Sequence, residues 1–251
     1  MLKIKNWFSK EWHETKLLLA SIPATIMTMF CLAIVLMNLL ANKQLVEVGG
    51  WLALDCGMIV SWLAFFTMDM IVRRFGPKAS TQLTLVATSV NLFVCLILLI
   101  AGSIPNNWGE AYMPDGSVNT AINTALDNTI SGTWFVLLGS TVAFISSAVT
   151  HAFTNWSLTK IFKENTSKNY LICSYISTSL GQFVDNLLFA LIVSLNFFGW
   201  NLTQCITCAL TGMLMELLFE VLFAPFGYRI TQRWEQQGVG NAYIEYMKRG
   251  K

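Results

Sequence analysis

Residues 170–198 read YLICSYISTSLGQFVDNLLFALIVSLNFF, and this stretch decides the fold class of the chain. It is apolar over more than the roughly 20 residues that a helix needs to cross a bilayer core of about 30 Å. It nevertheless carries Gln182, Asp185 and Asn186 near its middle. A long apolar helix with ionisable and amide groups at mid-span is typical of a membrane protein that encloses a polar site.

Five further blocks of the chain have the same length and apolar character. Together the six blocks cover residues 17–41, 50–72, 81–104, 132–153, 170–198 and 202–226. In lipid, backbone groups must form their hydrogen bonds within their own segment, so blocks of this length are expected to be helices. The sequence therefore predicts an all-α integral membrane protein with six transmembrane helices.

The composition supports this class and excludes others. Hydrophobic residues make up 55% of the chain and charged residues 12%, whereas a soluble domain carries roughly 25% charged residues. A net charge of +2 gives no indication of nucleic-acid binding. The chain has no glycine-rich phosphate loop followed by lysine and none of the common catalytic motifs. We therefore expect neither an enzyme nor a cofactor.

The basic residues predict the orientation. Fifteen of the sixteen Lys and Arg residues fall on one side of the six blocks, and Lys43 is the exception. By the positive-inside rule that side is cytoplasmic, so both termini are expected inside. We divide the chain into a cytoplasmic amphipathic N-terminus (1–16), a membrane domain (17–226) and a cytoplasmic tail (227–251). The external connection 105–131 would be a lid over a vestibule or a passive spacer.

Carboxylates inside the blocks are the first candidates for chemistry. They are Asp55, Asp69, Asp185, Glu216 and Glu220. Asp55 lies near an external helix end, where it could reach the headgroups. Asp69 stands four residues before Arg73, a spacing that brings two side chains together on a helix. That pair is either an interfacial salt bridge or part of a site.

The fifth block carries a polar stripe when it is drawn as a helix. At 100° per residue, one face holds Ser174, Ser177, Thr178, Gly181, Gln182 and Asp185. Serine, threonine and glycine alone would indicate a surface that packs against another helix. A glutamine, an aspartate and an asparagine within five residues exceed that need. We interpret the stripe as the wall of a cavity filled by water or a ligand.

The sixth block repeats the pattern with Thr207, Cys208, Thr211, Gly212, Glu216 and Glu220 on one face. Two ionised glutamates one turn apart would repel, so one is expected to be protonated or paired with a cation. Arg73, Lys160 or a cationic substrate could supply that charge. A glutamate that exchanges a proton during the cycle would make the protein a proton-coupled carrier.

Several further residues are weaker candidates for binding a ligand or a metal. Asn91 in the third block is a further candidate. The Cys205-x-x-Cys208 spacing and the lone His151 are poor metal signals, so we expect no metal site. Among the aromatic residues, Trp62, Phe65 or Phe66 could stack on a planar ligand.

Four segments resemble the queuosine precursor transporter family, also called the vitamin uptake transporters. They are FFTMDMIVRRFGP at 65–77, GSTVAF at 139–144, STSLGQFVDNLLF at 177–189 and APFGY at 224–228. The resemblance runs over about residues 38–230. Within it, Met68 replaces the usual threonine, His151 stands where many relatives have aspartate, and Glu216 falls near a position often held by lysine.

The resemblance implies uptake of a queuosine precursor or a related 7-deazapurine across the bacterial inner membrane. It implies six helices like those of the substrate-binding subunits of energy-coupling-factor transporters, working without the ATPase module. Carried over by motif, Asp69, Arg73, Gln182 and Asp185 become the leading substrate or gating residues.

Our hypothesis is a secondary importer of a small planar nitrogenous solute in the lipid bilayer. The candidate substrate-binding residues are Asp69, Arg73, Asn91, Gln182, Asp185, Asn186, Glu216 and Glu220. One alternative is the binding subunit of a multi-component vitamin importer, for which Ala20 and Ala24 offer a small-x-x-x-small contact. Another is a membrane enzyme or scaffold. Proton coupling and a homo-oligomeric state both stay open.

Overall fold

The computed structural model describes residues 2–161 and 167–249, and helices account for most of them. The helices are α1 (Leu2–Ser21), α2 (Ala24–Leu40), α3 (Met58–Phe75), α4 (Pro77–Ala101), α5 (Thr120–Ser131), α6 (Thr133–Ile161), α7 (Ser167–Phe189), α8 (Leu195–Phe198), α9 (Leu202–Gln236) and α10 (Asn241–Arg249). A π-helical turn, Ala190–Ser194, joins α7 to α8. Two short strands, β1 (Gln44–Val48) and β2 (Leu52–Asp55), form an antiparallel hairpin.

Several of these helices are long and apolar enough to cross a membrane. In the described part of the chain they are Lys78–Ala101, Thr120–Ser147, Tyr175–Phe198 and Leu202–Phe223, and a bent pair of helices near the N-terminus brings the number to five. The prediction of an all-α, multi-pass membrane protein is confirmed. Helix α3, which ends with Arg73 and Arg74, is not among these segments.

The first apolar block, residues 17–41, is not one continuous helix. Helix α1 ends at Ser21 and α2 begins at Ala24, and the two are bent by 111°. Pro23 lies at the break, where its ring and its missing N–H prevent the α1 hydrogen-bond ladder from continuing. Its carbonyl instead accepts N–H groups from Ile26 and Met27 in the first turn of α2.

The second block begins as the β-hairpin and becomes helical only at Met58. Gly49 and Gly50 connect the strands with φ values of 53° and 69°, a left-handed conformation that favours glycine. The hairpin is attached to the start of α9, because Asn201 Nδ2 donates to the Gly50 carbonyl over 2.9 Å. Gln204 Nε2 likewise donates to Glu47 Oε1 over 3.0 Å.

The connection at 105–131 is an ordered segment that ends in helix α5. The Asn119 side chain caps this helix by accepting the N–H groups of Ala121 and Ile122. Trp108 Nε1 donates to Asp127 Oδ1 over 2.7 Å, which ties the preceding loop to the helix. The domain boundaries that the sequence suggested, after residues 16 and 226, fall inside α1 and α9.

The chain divides into two compact units. The first unit contains residues 1–35, 60–91 and 218–251, and the second contains residues 36–59 and 92–217. Counted over the sequence, the first unit has twelve basic and six acidic residues, and the second has four basic and eight acidic residues. Acidic residues therefore outnumber basic ones only in the second unit.

Each unit has its own buried apolar core. In the first unit Leu18, Phe30, Ile71, Leu83 and Tyr243 are buried together. In the second unit Trp200 and Cys205 pack with Ala53 and Ala190. Helices α6 and α7 of the second unit pack closely against each other, and Gly139 of α6 lies directly against the π-helical turn.

Gly57 lies in a tightly packed position just before α3. A Cβ atom at this position would lie 2.7 Å from the Met37 carbonyl oxygen and 2.8 Å from Asp55 Oδ1. We expect Gly57→Ala to lower the free energy of unfolding by about 1–3 kcal/mol, the usual cost of overpacking. Thermal unfolding in detergent measures this change. Gly109→Ala is the control, because a Cβ there meets no atom within 4 Å, and an equal melting temperature in both variants would contradict the packing.

Candidate functional site

Helix α7 turns its polar stripe toward the interior of the second unit. Ser177, Gly181 and Gln182 are buried, whereas Ile176 and Leu180 are exposed. The buried side of this helix is therefore its hydrophilic side. Such an inversion is expected where a membrane helix faces a polar site and turns its apolar residues to lipid.

Two oxygen atoms of the stripe are buried without a hydrogen-bond donor. Gln182 is 5% exposed, and its Oε1 has no partner among the residues that the structure describes. The same holds for Oδ1 of Asp185, three residues further along α7, within that described part. A three-residue separation places both side chains on one face of the helix. This face therefore presents two hydrogen-bond acceptors.

Helix α9 contributes a glutamate to the same unit. Glu216 is 7% exposed, and Asn186 Nδ2 donates a hydrogen bond to its Oε2 over 3.3 Å. Gly212, one turn before Glu216, makes this approach possible. A Cβ at Gly212 would lie 2.9 Å from Asn186 Nδ2 and 3.0 Å from Met58 Cε. The structure thus brings together two of the predicted site residues, Asn186 and Glu216.

Asp55 has a structural role that the sequence did not predict. It is buried at the end of β2, and its Oδ1 accepts the Gly57 N–H over 2.8 Å. The expectation that it reaches the headgroups is wrong, because the carboxylate turns inward to the start of α3. Burial raises the pKa of Asp55 to about 6, although backbone N–H groups of Gly57 and Met58 favour the ionised form.

The π-helical turn and the residues just after α8 contribute two polar groups that sequence reasoning missed, Ser194 and Trp200. Ser194 Oγ and Trp200 Nε1 are buried, and neither has a partner within residues 2–161 and 167–249. π-helical turns often occur at functional sites, since the extra residue redirects the side chains around it. Nothing in the local sequence signals this turn. It forms where α6 approaches α7 at Gly139, whose added Cβ would collide with Val193.

The other candidates lie in the first unit. The Arg73 guanidinium stacks over the Tyr228 ring at 5.4 Å. Asn91 is buried, and its Nδ2 has no partner in the described part of the chain. The structure describes Asp69 and Glu220 as positions of α3 and α9 without their side chains, so the proposed pairing of Asp69 with Arg73 stays a prediction.

Two of the three aromatic candidates contact other rings of the first unit. Trp62 stacks on Phe223 with a centroid distance of 4.7 Å and an interplanar angle of 15°. Phe66 contacts the same Phe223 ring at 5.8 Å. Phe65 and His151 are described as positions of α3 and α6 without their side chains. Trp62 therefore already has a ring partner within the protein.

The two cysteines of the C-x-x-C spacing are part of a packed core. Cys205 and Cys208 are buried in the cluster that contains Ala53, Ala190 and Trp200. They lie at the start of α9, beside the hairpin strand β2. Their surroundings are those of small packing residues.

Long apolar helices with buried amides and carboxylates define a multi-pass membrane protein with an internal polar face. The chain matches the model of the family described as "Putative vitamin uptake transporter" over residues 55–230, and it belongs to that family. This match covers all eight predicted site residues. The search of curated proteins and the search of solved structures give no match. Fold and family point to a transporter of a small molecule rather than to an enzyme.

The buried carboxyl of Asp55 predicts a pH dependence of stability. Its pKa is about 6 in the folded protein against 3.8 as the reference value, so the folded state holds this proton more tightly than the unfolded state. The resulting stabilisation is complete below about pH 4 and is lost as the pH rises through about 6, with a total of about 3 kcal/mol.

We therefore expect the melting temperature of Asp55→Asn to change less between these pH values than that of the wild type. The reason is that asparagine keeps the acceptor oxygen and has no proton to lose. Melting curves at a series of pH values measure the effect. Asp115→Asn, at an exposed loop carboxylate, should leave the wild-type profile unchanged. An unaltered profile in Asp55→Asn would show that this carboxyl does not titrate as proposed.

Proposed function

We propose that the protein imports a small planar nitrogenous solute, a queuosine precursor or a related 7-deazapurine, across the bacterial inner membrane. One observation carries the proposal: Gln182 and Asp185 present two buried acceptor oxygens on one face of α7, and the described residues offer them no donor. Leaving such groups unpaired costs about 1–3 kcal/mol each. That cost is offset if a substrate supplies the missing donors.

The chemistry of a deazapurine suits this face. Its pyrimidine edge carries N–H donors beside a carbonyl oxygen. A carboxylate accepts from N–H groups, and a primary amide both accepts and donates. Asp185 with Gln182 therefore complements such an edge, whereas an apolar solute would leave both oxygens unpaired.

Asn186 and Glu216 support the same site. Their hydrogen bond joins α7 to α9 next to the acceptors, so Glu216 orients the asparagine amide. In this proposal Asp69, Arg73, Asn91 and Glu220 also take part in binding or gating. The family-like segment at 65–77 supports Asp69 and Arg73, and all four residues lie within the matched range.

The energy source in this proposal is a gradient. The sequence has no ATP-binding loop, and Glu216 and Glu220 stand one turn apart on α9. One of the two would exchange a proton during each cycle. We further propose six membrane crossings with both termini in the cytoplasm, which follows from the distribution of lysine and arginine.

The alternative of a binding subunit in a larger importer rests on Ala20 and Ala24. These residues belong to α1 and α2, on opposite sides of the 111° bend. They therefore do not form one continuous helix face for a partner helix. A chain that works alone is the better-supported reading.

Uptake of a labelled 7-deazaguanine derivative by the purified chain in liposomes tests the proposal. We expect Asp185→Asn to lower uptake more than about tenfold, because exchanging one carboxylate oxygen for an NH2 group replaces an acceptor with a donor. Asp115→Asn makes the same chemical change at an exposed loop position and should transport normally.

Three results would count against parts of the proposal. Normal uptake by a folded Asp185→Asn would remove this residue from the site. Uptake in cells but none in liposomes would favour a partner-dependent importer. Equal rates at acid and neutral pH, with and without a protonophore, would rule out proton coupling.

A further inference from the structure

Helix α1 is set at a sharp angle to the helix that follows it. It is bent by 111° from α2, whose seventeen residues contain no charged side chain. If α2 enters the bilayer, a helix at this angle to it runs close to the membrane plane. The side of α1 that faces away from the protein then meets the headgroup region.

The acidic residues of α1 point toward the protein. Lys78 Nζ lies 2.8 Å from Glu11 Oε1 and 2.5 Å from Glu14 Oε2. Gln82 Nε2 also donates to Glu11, and Gln82 Oε1 in turn accepts from the Tyr243 hydroxyl of α10. Glu14 is 2% exposed. The negative charge of this helix is therefore paired with α4.

The opposite side of α1 presents a lysine and a large aromatic ring. Trp12 is 60% exposed, and Lys16 is exposed beside it. Lys16 Nζ lies over the Trp12 ring at 5.2 Å from its centroid. Lys10 lies instead on the side of the glutamates, with its Nζ 3.9 Å from Glu14 Oε1. We call Trp12 and Lys16 the α1 outer face.

We propose that the α1 outer face binds the headgroups of anionic phospholipids. Tryptophan favours the headgroup level of a bilayer, where its ring is partly buried and its N–H can find an acceptor. A lysine close to an anionic surface gains about fivefold in binding. The combination distinguishes a charged lipid surface from a soluble acidic partner, which would leave the indole ring of Trp12 in water.

The test uses the full chain in nanodiscs made of phosphatidylcholine with or without phosphatidylglycerol. One lipid at a time carries bromine near the headgroup, where it quenches nearby tryptophan. The difference between wild type and Trp12→Phe isolates the Trp12 signal. We expect stronger quenching by brominated phosphatidylglycerol than by brominated phosphatidylcholine, and a loss of this preference at high salt.

Lys16→Gln should weaken the phosphatidylglycerol preference by about fivefold. Lys43→Gln, at an exposed lysine outside α1, is the matched control and should behave as wild type. Equal melting temperatures would show that all variants are folded. Quenching of Trp12 by neither lipid, equal quenching by both, or a preference that survives Lys16→Gln would each overturn the proposal.

Discussion

The central constraint on this molecule is that polar atoms inside a membrane protein must find partners. Gln182 and Asp185 sit on a helix that is apolar on its other sides, and their buried oxygens meet no donor in the described residues. Selection for stability alone would replace them with leucine or alanine, since an unpaired buried acceptor costs free energy. Their presence makes sense if a solute completes the hydrogen bonds. The proposed transport depends on a substrate that donates hydrogen bonds to these two oxygens when it binds.

Small residues and backbone irregularities hold the helices around this face. Gly212 lets α9 approach Asn186, and Gly139 lets α6 approach the π-helical turn that follows the stripe. Asp55 caps the start of α3 at the hairpin end of the second unit. The two glycines allow close approach between helices, and Asp55 accepts a backbone N–H group. The result is a second unit in which buried carboxylates and amides share a low-dielectric interior, where each hydrogen bond is stronger than in water.

The sequence predicted what depends on local pattern and missed what depends on distant contacts. Uniform apolar runs near residues 81–104 and 202–226 identified membrane helices, and the 100° spacing identified the buried side of α7. Pro23 and the Gly49–Gly50 pair are local sequence signals for a bend and a turn. They were obscured because the apolar character was judged over whole blocks of more than 20 residues. The stacking of Trp62 on Phe223 joins α3 to α9 across a long stretch of chain. No spacing rule could predict it, and the same holds for the π-helical turn.

The most direct measurement is thermal stabilisation of the detergent-solubilised protein by matched pairs of solutes. Each pair consists of a 7-deazapurine with its ring-edge N–H groups and a counterpart in which those groups are methylated. A ligand at about a hundred times its Kd stabilises the native state by about 2.7 kcal/mol. The account predicts a higher melting temperature with the N–H form and little change with the methylated form. Equal stabilisation by both forms, or none by any nitrogenous solute, would contradict it.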